Sequence, residues 1–219
     1  MLDSLYRQLE AHNSLLHLVQ PRLPLPPLRG WSMSPDSLLI VATLVKQSRC
    51  RAVVELGSGA STIVLGYMLA RQRGRLVTVE HDRRFAASTN RLVRLHRLEK
   101  TVAVLHAPLK PVARRAKRRW YDPQLLDDLP ASIDLLLVDG PPGELGPAMR
   151  EPAGKFLFPR LARRGVVCLD DASRAWERKT AERWRTKFNM SLALEATEKG
   201  LALLRPANGS GAGGDRDGG

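Results

Sequence analysis

The stretch Ala52-Val-Val-Glu-Leu-Gly-Ser-Gly-Ala-Ser-Thr62 constrains this chain more than any other. A short apolar run carries Glu55, then comes a Gly57-x-Gly59 turn, then a helix start near Ser61. Glycine lets a backbone turn sharply and approach a ligand closely. Strand, glycine turn and helix together form the mononucleotide-binding corner of a Rossmann-like sheet. A chain built around that corner must go on to supply parallel strands and the helices that cover them.

The following sequence does so. Strand patterns at 52–56, 75–80, 101–105, 133–139 and 165–170 alternate with helical ones. One helix spans 62–72. The next is capped by Asp82 and carries Phe85, Ala86, Leu92, Val93 and Leu95. Residues 156–161 read as part of another, and Ser173 as the cap of a helix through Trp184. Two final strands, 190–196 and 200–205, flank Thr197-Glu-Lys-Gly200, a hairpin signal. The expected fold class is α/β: a Rossmann-like, seven-stranded, mostly parallel sheet with a C-terminal antiparallel hairpin and helices on both faces. Ahead of it, Leu2, Leu5, Tyr6, Leu9, Leu15, Leu16 and Val19 recur at helical spacing. That helix packs on the body or pairs with a second subunit in a homodimer. Prolines from Pro21 to Pro27 make an extended connector, and Ser34-Pro35 marks a helix start for 36–46. The expected organisation is an N-terminal helix and connector (1–29), one domain (30–206) and a disordered glycine-rich tail (207–219).

At 219 residues and 43% hydrophobic, the chain suits one domain with a full core. It has no apolar run long enough to span a membrane and no signal-peptide pattern. Cys50 and Cys168 lack metal-ligand spacing and read as reduced thiols of a cytoplasmic protein. The net charge of +13 admits nucleic acid, anionic headgroups or acidic substrates as partners. The positive charge is spread along the chain, however, and no nucleic-acid module is visible, so arginine also reads as the ordinary solubilising residue. The run Arg114-Arg-Ala-Lys-Arg-Arg119 is either an anion site or a solvated face.

Ligands of an open parallel sheet sit beyond the carboxyl ends of its strands. Those ends carry Gly57-Ser-Gly59, Glu80-His-Asp82, His106-Ala-Pro108, Asp139-Gly-Pro-Pro142 and Asp170-Asp171. This rim is acidic in a basic protein, which suits a cationic ligand. Glu80 lies a little over twenty residues past the glycine turn, where a carboxylate accepts both hydroxyls of an adenosine ribose. NAD uses the same geometry. Three features favour S-adenosylmethionine (SAM), whose methionyl part carries an ammonium and a sulfonium. Glu55 precedes the glycines, Thr62 replaces the third glycine of G-x-G-x-x-G, and the chain is too short for a dehydrogenase's substrate domain.

Seven segments in order resemble class I SAM-dependent methyltransferases, close to methyltransferase family 24 and akin to catechol-type O-methyltransferases. They are Gly30-Trp-Ser-Met-Ser34, Val54-Glu-Leu-Gly-Ser-Gly-Ala-Ser-Thr62, Val79-Glu-His-Asp82, His106-Ala-Pro-Leu109, Trp120-Tyr-Asp122, Val138-Asp-Gly-Pro-Pro-Gly143 and Leu169-Asp-Asp-Ala-Ser-Arg174. The resemblance implies cofactor contacts from Glu55, Gly57, Ser58, Gly59, Ser61, Thr62, Glu80, His81, Ala107 and Asp139. Trp31, Trp120 and Tyr121 either wall the pocket or pack in the core. Catechol-type enzymes hold a divalent cation with an Asp after the fourth strand and an Asp-Asn pair after the fifth. Asp139 and Asp170 match, whereas Asp171 stands where Asn is expected. Mg²⁺, Mn²⁺ or Ca²⁺ would suit such oxygens. The alternatives are a metal-free site, with Asp139 or Asp171 as general base or substrate anchor, and a helix cap at Asp171. Like charges this close need a compensator: a metal, the sulfonium, or Arg174.

The expected function is therefore SAM-dependent methyl transfer, foremost to an oxygen of a small molecule or glycan, with Asp139, Asp170 and Asp171 at the acceptor. A nucleic-acid methyltransferase is the second reading, although no Asn-Pro-Pro-Tyr-type motif follows the fourth strand. A non-catalytic SAM-binding module is the third.

Overall fold

The computed structural model describes residues 2–112 and 118–207. Most of the basic run after Val112 and nearly all of the C-terminal tail lie outside the described residues. The elements in chain order are α1 (Leu2–Val19), α2 (Pro35–Gln47), β1 (Ala52–Leu56), α3 (Ala60–Gln72), β2 (Arg75–Glu80), α4 (Arg83–Leu95) and β3 (Val102–His106). They continue with β4 (Leu109–Pro111), β5 (Arg119–Tyr121), β6 (Ile133–Val138), α5 (Pro152–Leu157), β7 (Leu161–Asp170), α6 (Ala175–Lys187), β8 (Met190–Glu195) and β9 (Leu201–Pro206). The main sheet has the order β3-β2-β1-β6-β7-β9-β8. Its first five strands are parallel, and β9 runs antiparallel to both β7 and β8. The seven-stranded sheet and closing hairpin are those the sequence predicts.

The strands β1, β6 and the second half of β7 are apolar on both faces because helices cover both. Successive side chains alternate. Val53, Leu135, Leu137 and Cys168 join α1, α2 and α3 in one core layer. Val54, Leu56, Leu136, Val138 and Val167 join α5, α6 and the β4–β5 ribbon in the other.

Local signals hold unevenly. Asp82 caps α4 as expected, accepting the N–H groups of Arg84 and Phe85 at 2.7 and 3.0 Å. Ser34 occupies the N-cap of α2, but its hydroxyl donates to Asp36 at 2.6 Å instead of capping the backbone. Ser173 does not cap α6. Its hydroxyl donates to the Lys199 carbonyl at 2.6 Å, and Arg174 takes the N-cap position. The helix expected through Leu161 ends at Leu157 and passes through a 3₁₀ turn, Phe158–Arg160, into β7. Pro159 explains this, since proline lacks the N–H a continuing helix needs and clashes with the preceding turn. The β4–β5 ribbon has no counterpart in the sequence pattern, because three-residue strands carry no readable period. It buries Trp120 and Tyr121 completely, with Trp120 stacked on Phe156 at 5.0 Å, so both are core residues.

Helix α1 docks by its C-terminal half. Ala11, Leu15 and Val19 are buried, and Arg71 donates to the carbonyls of Leu18 and Val19 at 2.9 and 2.6 Å. Leu2, Leu5, Tyr6 and Leu9 are exposed. Among the described residues no helix is long and apolar enough to cross a membrane.

Leu15 is fully buried in the first core layer. Leu15→Ala should therefore cost about 2–5 kcal/mol of stability. Calorimetry should show Tm falling by roughly 5–15 °C. An unchanged Tm would mean that α1 is not docked in solution.

Candidate active site

The crossovers from β1 reverse direction between β1 and β6: β2 and β3 lie on one side, β6 and β7 on the other. That switch point opens a crevice at the carboxyl ends of the strands. A cavity of about 430 Å³ occupies it. Gly57, Ser58, Gly59 and Ser61 line it from the first crossover, and Glu80 and His81 from the second. Asp139, Arg150, Asp171 and Arg174 line it from the β6 and β7 side.

The glycine corner is built as its residues require. Gly57 has φ +90°, and a Cβ there would sit 3.2 Å from the Asp139 carbonyl carbon. A side chain would thus push the end of β1 off the end of β6. Behind this corner, Thr62 Oγ1 accepts the Gly59 N–H at 3.0 Å and donates to Glu55 at 2.6 Å. Glu55 and Thr62 are fully buried and do not line the cavity. They brace the turn from beneath. Burial pushes the Glu55 carboxyl up to about 7 despite the neighbouring hydroxyls, of which Thr62 donates to one oxygen, while the second oxygen has no partner. Ala107 is also buried behind the wall, with its N–H bonded to the Glu80 carbonyl at 2.8 Å.

Glu80 is the opposite case. Burial would raise its pKa, but donors from His81, Asp82 and Ser58 hold it below the ordinary value. One oxygen faces His81 Nδ1 at 2.9 Å and accepts the Asp82 N–H at 3.0 Å. The other accepts the N–H and hydroxyl of Ser58 at 3.1 and 3.0 Å. All four lone-pair directions of the carboxylate are thus occupied. His106 Nε2 donates to the His81 carbonyl at 3.2 Å from an exposed position and is not part of the cavity.

Across the cavity stands a residue that the sequence did not disclose. Arg150 is buried beneath the acidic rim. Its Nη2 donates to the Asp139 carbonyl (3.0 Å), Asp139 Oδ1 (3.2 Å) and Asp171 Oδ2 (2.9 Å). Its Nη1 donates to the Asp170 carbonyl at 2.8 Å. Burial opposes the guanidinium charge, but the neighbouring carboxylates more than offset this and raise its pKa. Arg174, named from the sequence, also reaches Asp171 at 3.1 Å. Asp139 borders the cavity, and burial together with the Asp170 charge drives its pKa up despite Arg150. Asp170 is buried off the cavity wall, is pushed up to about 6 by burial and by Asp171, and has one oxygen without a partner. The signal that pointed to an unseen residue was the charge imbalance of the rim itself.

Oxygens of Asp139, Asp170 and Asp171 lie within 4.8 Å of one another, close enough to share a cation. The surroundings do not fit a divalent one. Arg150 already donates to two of the three carboxylates.

The mouth of the cavity is framed by Trp31, stacked on Phe85 at 6.2 Å, with Leu145 nearby. All three are exposed. Lys199 in the β8–β9 turn donates to the carbonyls of Gly30 and Ser32, each at 2.7 Å, holding this N-terminal loop over the crevice.

Residues 54–172, more than half of the chain, match the family model described as a methyltransferase domain, family 24. No curated protein sequence matches significantly. Solved structures share the architecture. The SAH-bound methyltransferase PaMTH1 of Podospora anserina is 13% identical with a TM-score of 0.61, covering 90% of this chain and 88% of its own. TomG of Streptomyces achromogenes, an O-methyltransferase involved in tomaymycin synthesis and solved with SAM, is 18% identical with a TM-score of 0.56, covering 91% and 89%. An O-methyltransferase of Bacillus cereus in complex with SAH is 16% identical with a TM-score of 0.55, covering 89% and 91%. At such identities the likeness is one of fold.

The buried Glu55 generates a pH prediction. Its folded pKa of about 7 lies above the ordinary 4.5, so the folded state keeps a proton that the unfolded chain has lost. Its contribution to stability is full below 4.5 and is lost as pH rises toward 7. The neutral isostere Glu55→Gln removes this titration. Thermal melts should match wild type near about pH 5 and exceed it near about pH 8, by on the order of 3 kcal/mol at most. A variant less stable at the higher pH would show that ionised Glu55 is what the fold prefers.

Proposed function

This chain belongs to the methyltransferase domain family, and on that premise we propose that it binds SAM in the switch-point cavity and methylates an oxygen of a small molecule or glycan. The observation that carries the reading is the joint lining of one crevice by Glu80, the Gly57–Gly59 turn and the Asp139–Asp171 rim. The cavity volume is in the range of small-ligand pockets, as a bound cofactor requires. When bound, SAM supplies a methyl group already activated by its sulfonium.

The chain's own residues supply the rest. Glu80 accepts the ribose hydroxyls. Its side-chain donors, Ser58 Oγ and His81, yield to them, whereas the backbone N–H groups of Ser58 and Asp82 stay. Ser58 Oγ has an alternative partner in Thr89 Oγ1, 3.0 Å away. Gly57, Ser58, Gly59 and Ser61 cradle the methionyl part, with Glu55 and Thr62 acting from behind by fixing the turn. Asp139 takes the proton of the acceptor hydroxyl. Burial and the Asp170 charge raise its pKa, which strengthens its carboxylate as a proton acceptor, and it borders the cavity. Asp171, held by Arg150 and Arg174, orients the acceptor. Trp31 and Leu145 exclude water at the mouth.

Titration calorimetry tests the cofactor site. SAM and its demethylated product SAH should bind the wild type. Glu80→Ala should lose about 2–4 kcal/mol of affinity, roughly 30- to 1000-fold. Preferential binding of NAD would overturn the assignment.

SAH release over a panel of hydroxylated small molecules and glycans tests the acceptor side. Asp171→Asn should lower kcat by about 10²-fold or more while leaving SAH affinity within a few-fold of wild type. Equal losses in both would place Asp171 in the cofactor site instead.

A further inference from the structure

We infer that Arg150 takes the place of a divalent cation in the acidic rim, so that the site works without a metal and Arg150 acts as a positioning residue for Asp139 and Asp171. The inference rests on the methyltransferase reading above. Three carboxylates end the adjacent strands β6 and β7, and their oxygens come within 4.8 Å of one another. Such a cluster is unfavourable unless a cation, a proton or hydrogen-bond donors compensate. Arg150 provides that compensation from within the protein.

The guanidinium does more than neutralise. Its fork spans the two strand ends, reaching the Asp139 carbonyl and carboxylate on one side and the Asp170 carbonyl and Asp171 carboxylate on the other. A planar group with several donors can make this bridge, and a point charge cannot. The arrangement also accounts for Asp171, where the resemblance to catechol-type enzymes expects Asn. A neutral amide suits a rim whose charge is met by a metal. A carboxylate suits a rim in which one strand-end residue must pair with an arginine, and Asp171 does so at 2.9 Å. Its backbone sits at φ +58°, a left-handed conformation uncommon outside glycine, asparagine and aspartate. That turn brings its carboxylate to Arg150 and the cavity, which Asp170 does not line.

Mn²⁺ is the probe that tests this, because its uptake is read directly from the electron paramagnetic resonance signal of the free ion. The full chain, with and without SAH, should leave the free Mn²⁺ signal undiminished at millimolar concentration. Arg150→Met should take up one Mn²⁺ per chain, and the added ion should raise the variant's Tm but not that of wild type. Arg150→Lys, which keeps the charge without the fork, should bind no Mn²⁺ yet lose at least tenfold in SAH-release turnover with SAH affinity retained. SAH release by wild type should be indifferent to a chelator. Uptake of one Mn²⁺ by wild type, abolished by Asp139→Asn, would overturn the inference whether or not Arg150→Met folds. So would a folded Arg150→Met that binds no Mn²⁺, or full turnover in Arg150→Lys. SAH calorimetry separates the two levels: a chain that binds no SAH defeats the methyltransferase reading, whereas Mn²⁺ uptake by a chain that binds SAH defeats only this inference.

Discussion

The buried contact between Arg150 and the carboxyl ends of β6 and β7 is the interaction on which the crevice depends. A guanidinium taken out of water is costly unless every donor finds an acceptor, and carboxylates crowded at adjacent strand ends are costly unless a cation stands among them. Each cost offsets the other here. The result is a rigid rim: Asp139 is held through its carbonyl and its carboxylate, and the end of β7 through the Asp170 carbonyl and the Asp171 carboxylate, at distances of 2.8 to 3.2 Å. Removing one partner from such a cluster leaves an uncompensated buried charge, a loss typically of about 3–5 kcal/mol.

Around that rim, the two ends of the chain close the site. The β8–β9 turn bonds in two directions. Ala172 and Ser173 donate their N–H groups to the carbonyls of Gly200 and Lys199 at 2.9 and 3.0 Å. Lys199 Nζ then holds Gly30 and Ser32, and the Glu198 N–H reaches Asp36 at 2.9 Å. Gly200 permits this packing. It has φ +74°, and a Cβ would fall 2.5 Å from the Ser173 nitrogen. The terminal hairpin therefore links the loop bearing Trp31 to the loop bearing Asp171 and Arg174. Cavity walls from residues far apart in sequence are set by one five-residue turn.

Glu55 and Glu80 show how environment separates two carboxylates on neighbouring strands. Both are buried. Glu80 meets four donors and stays ionised, ready for hydroxyls that can displace the mobile ones. Glu55 meets fewer, keeps an orphaned oxygen and has its carboxyl pushed up to about 7 by burial. Sealed from the cavity, Glu55 belongs to the scaffold of the glycine turn, and Glu80 to the cavity surface.

The sequence by itself determined the sheet, its parallel sense, the closing hairpin and the strand ends where ligands bind. Those features rest on hydrophobic period, glycine placement and helix caps, all of which act over a few residues. It also brought Gly57, Ser58, Gly59, Glu80, Asp139 and Asp171 to one rim, because each follows directly from a strand end. Only the tertiary structure decided which rim residues face the cavity. Burial set Glu55, Thr62, Ala107 and Asp170 behind its wall, and core packing claimed Trp120 and Tyr121 while leaving Trp31 at the mouth. It alone revealed Arg150, which lies in an irregular segment between β6 and α5 with no motif around it. A side chain's partner in charge is chosen by proximity in space, and a local pattern does not record which distant arginine will fold beneath three aspartates.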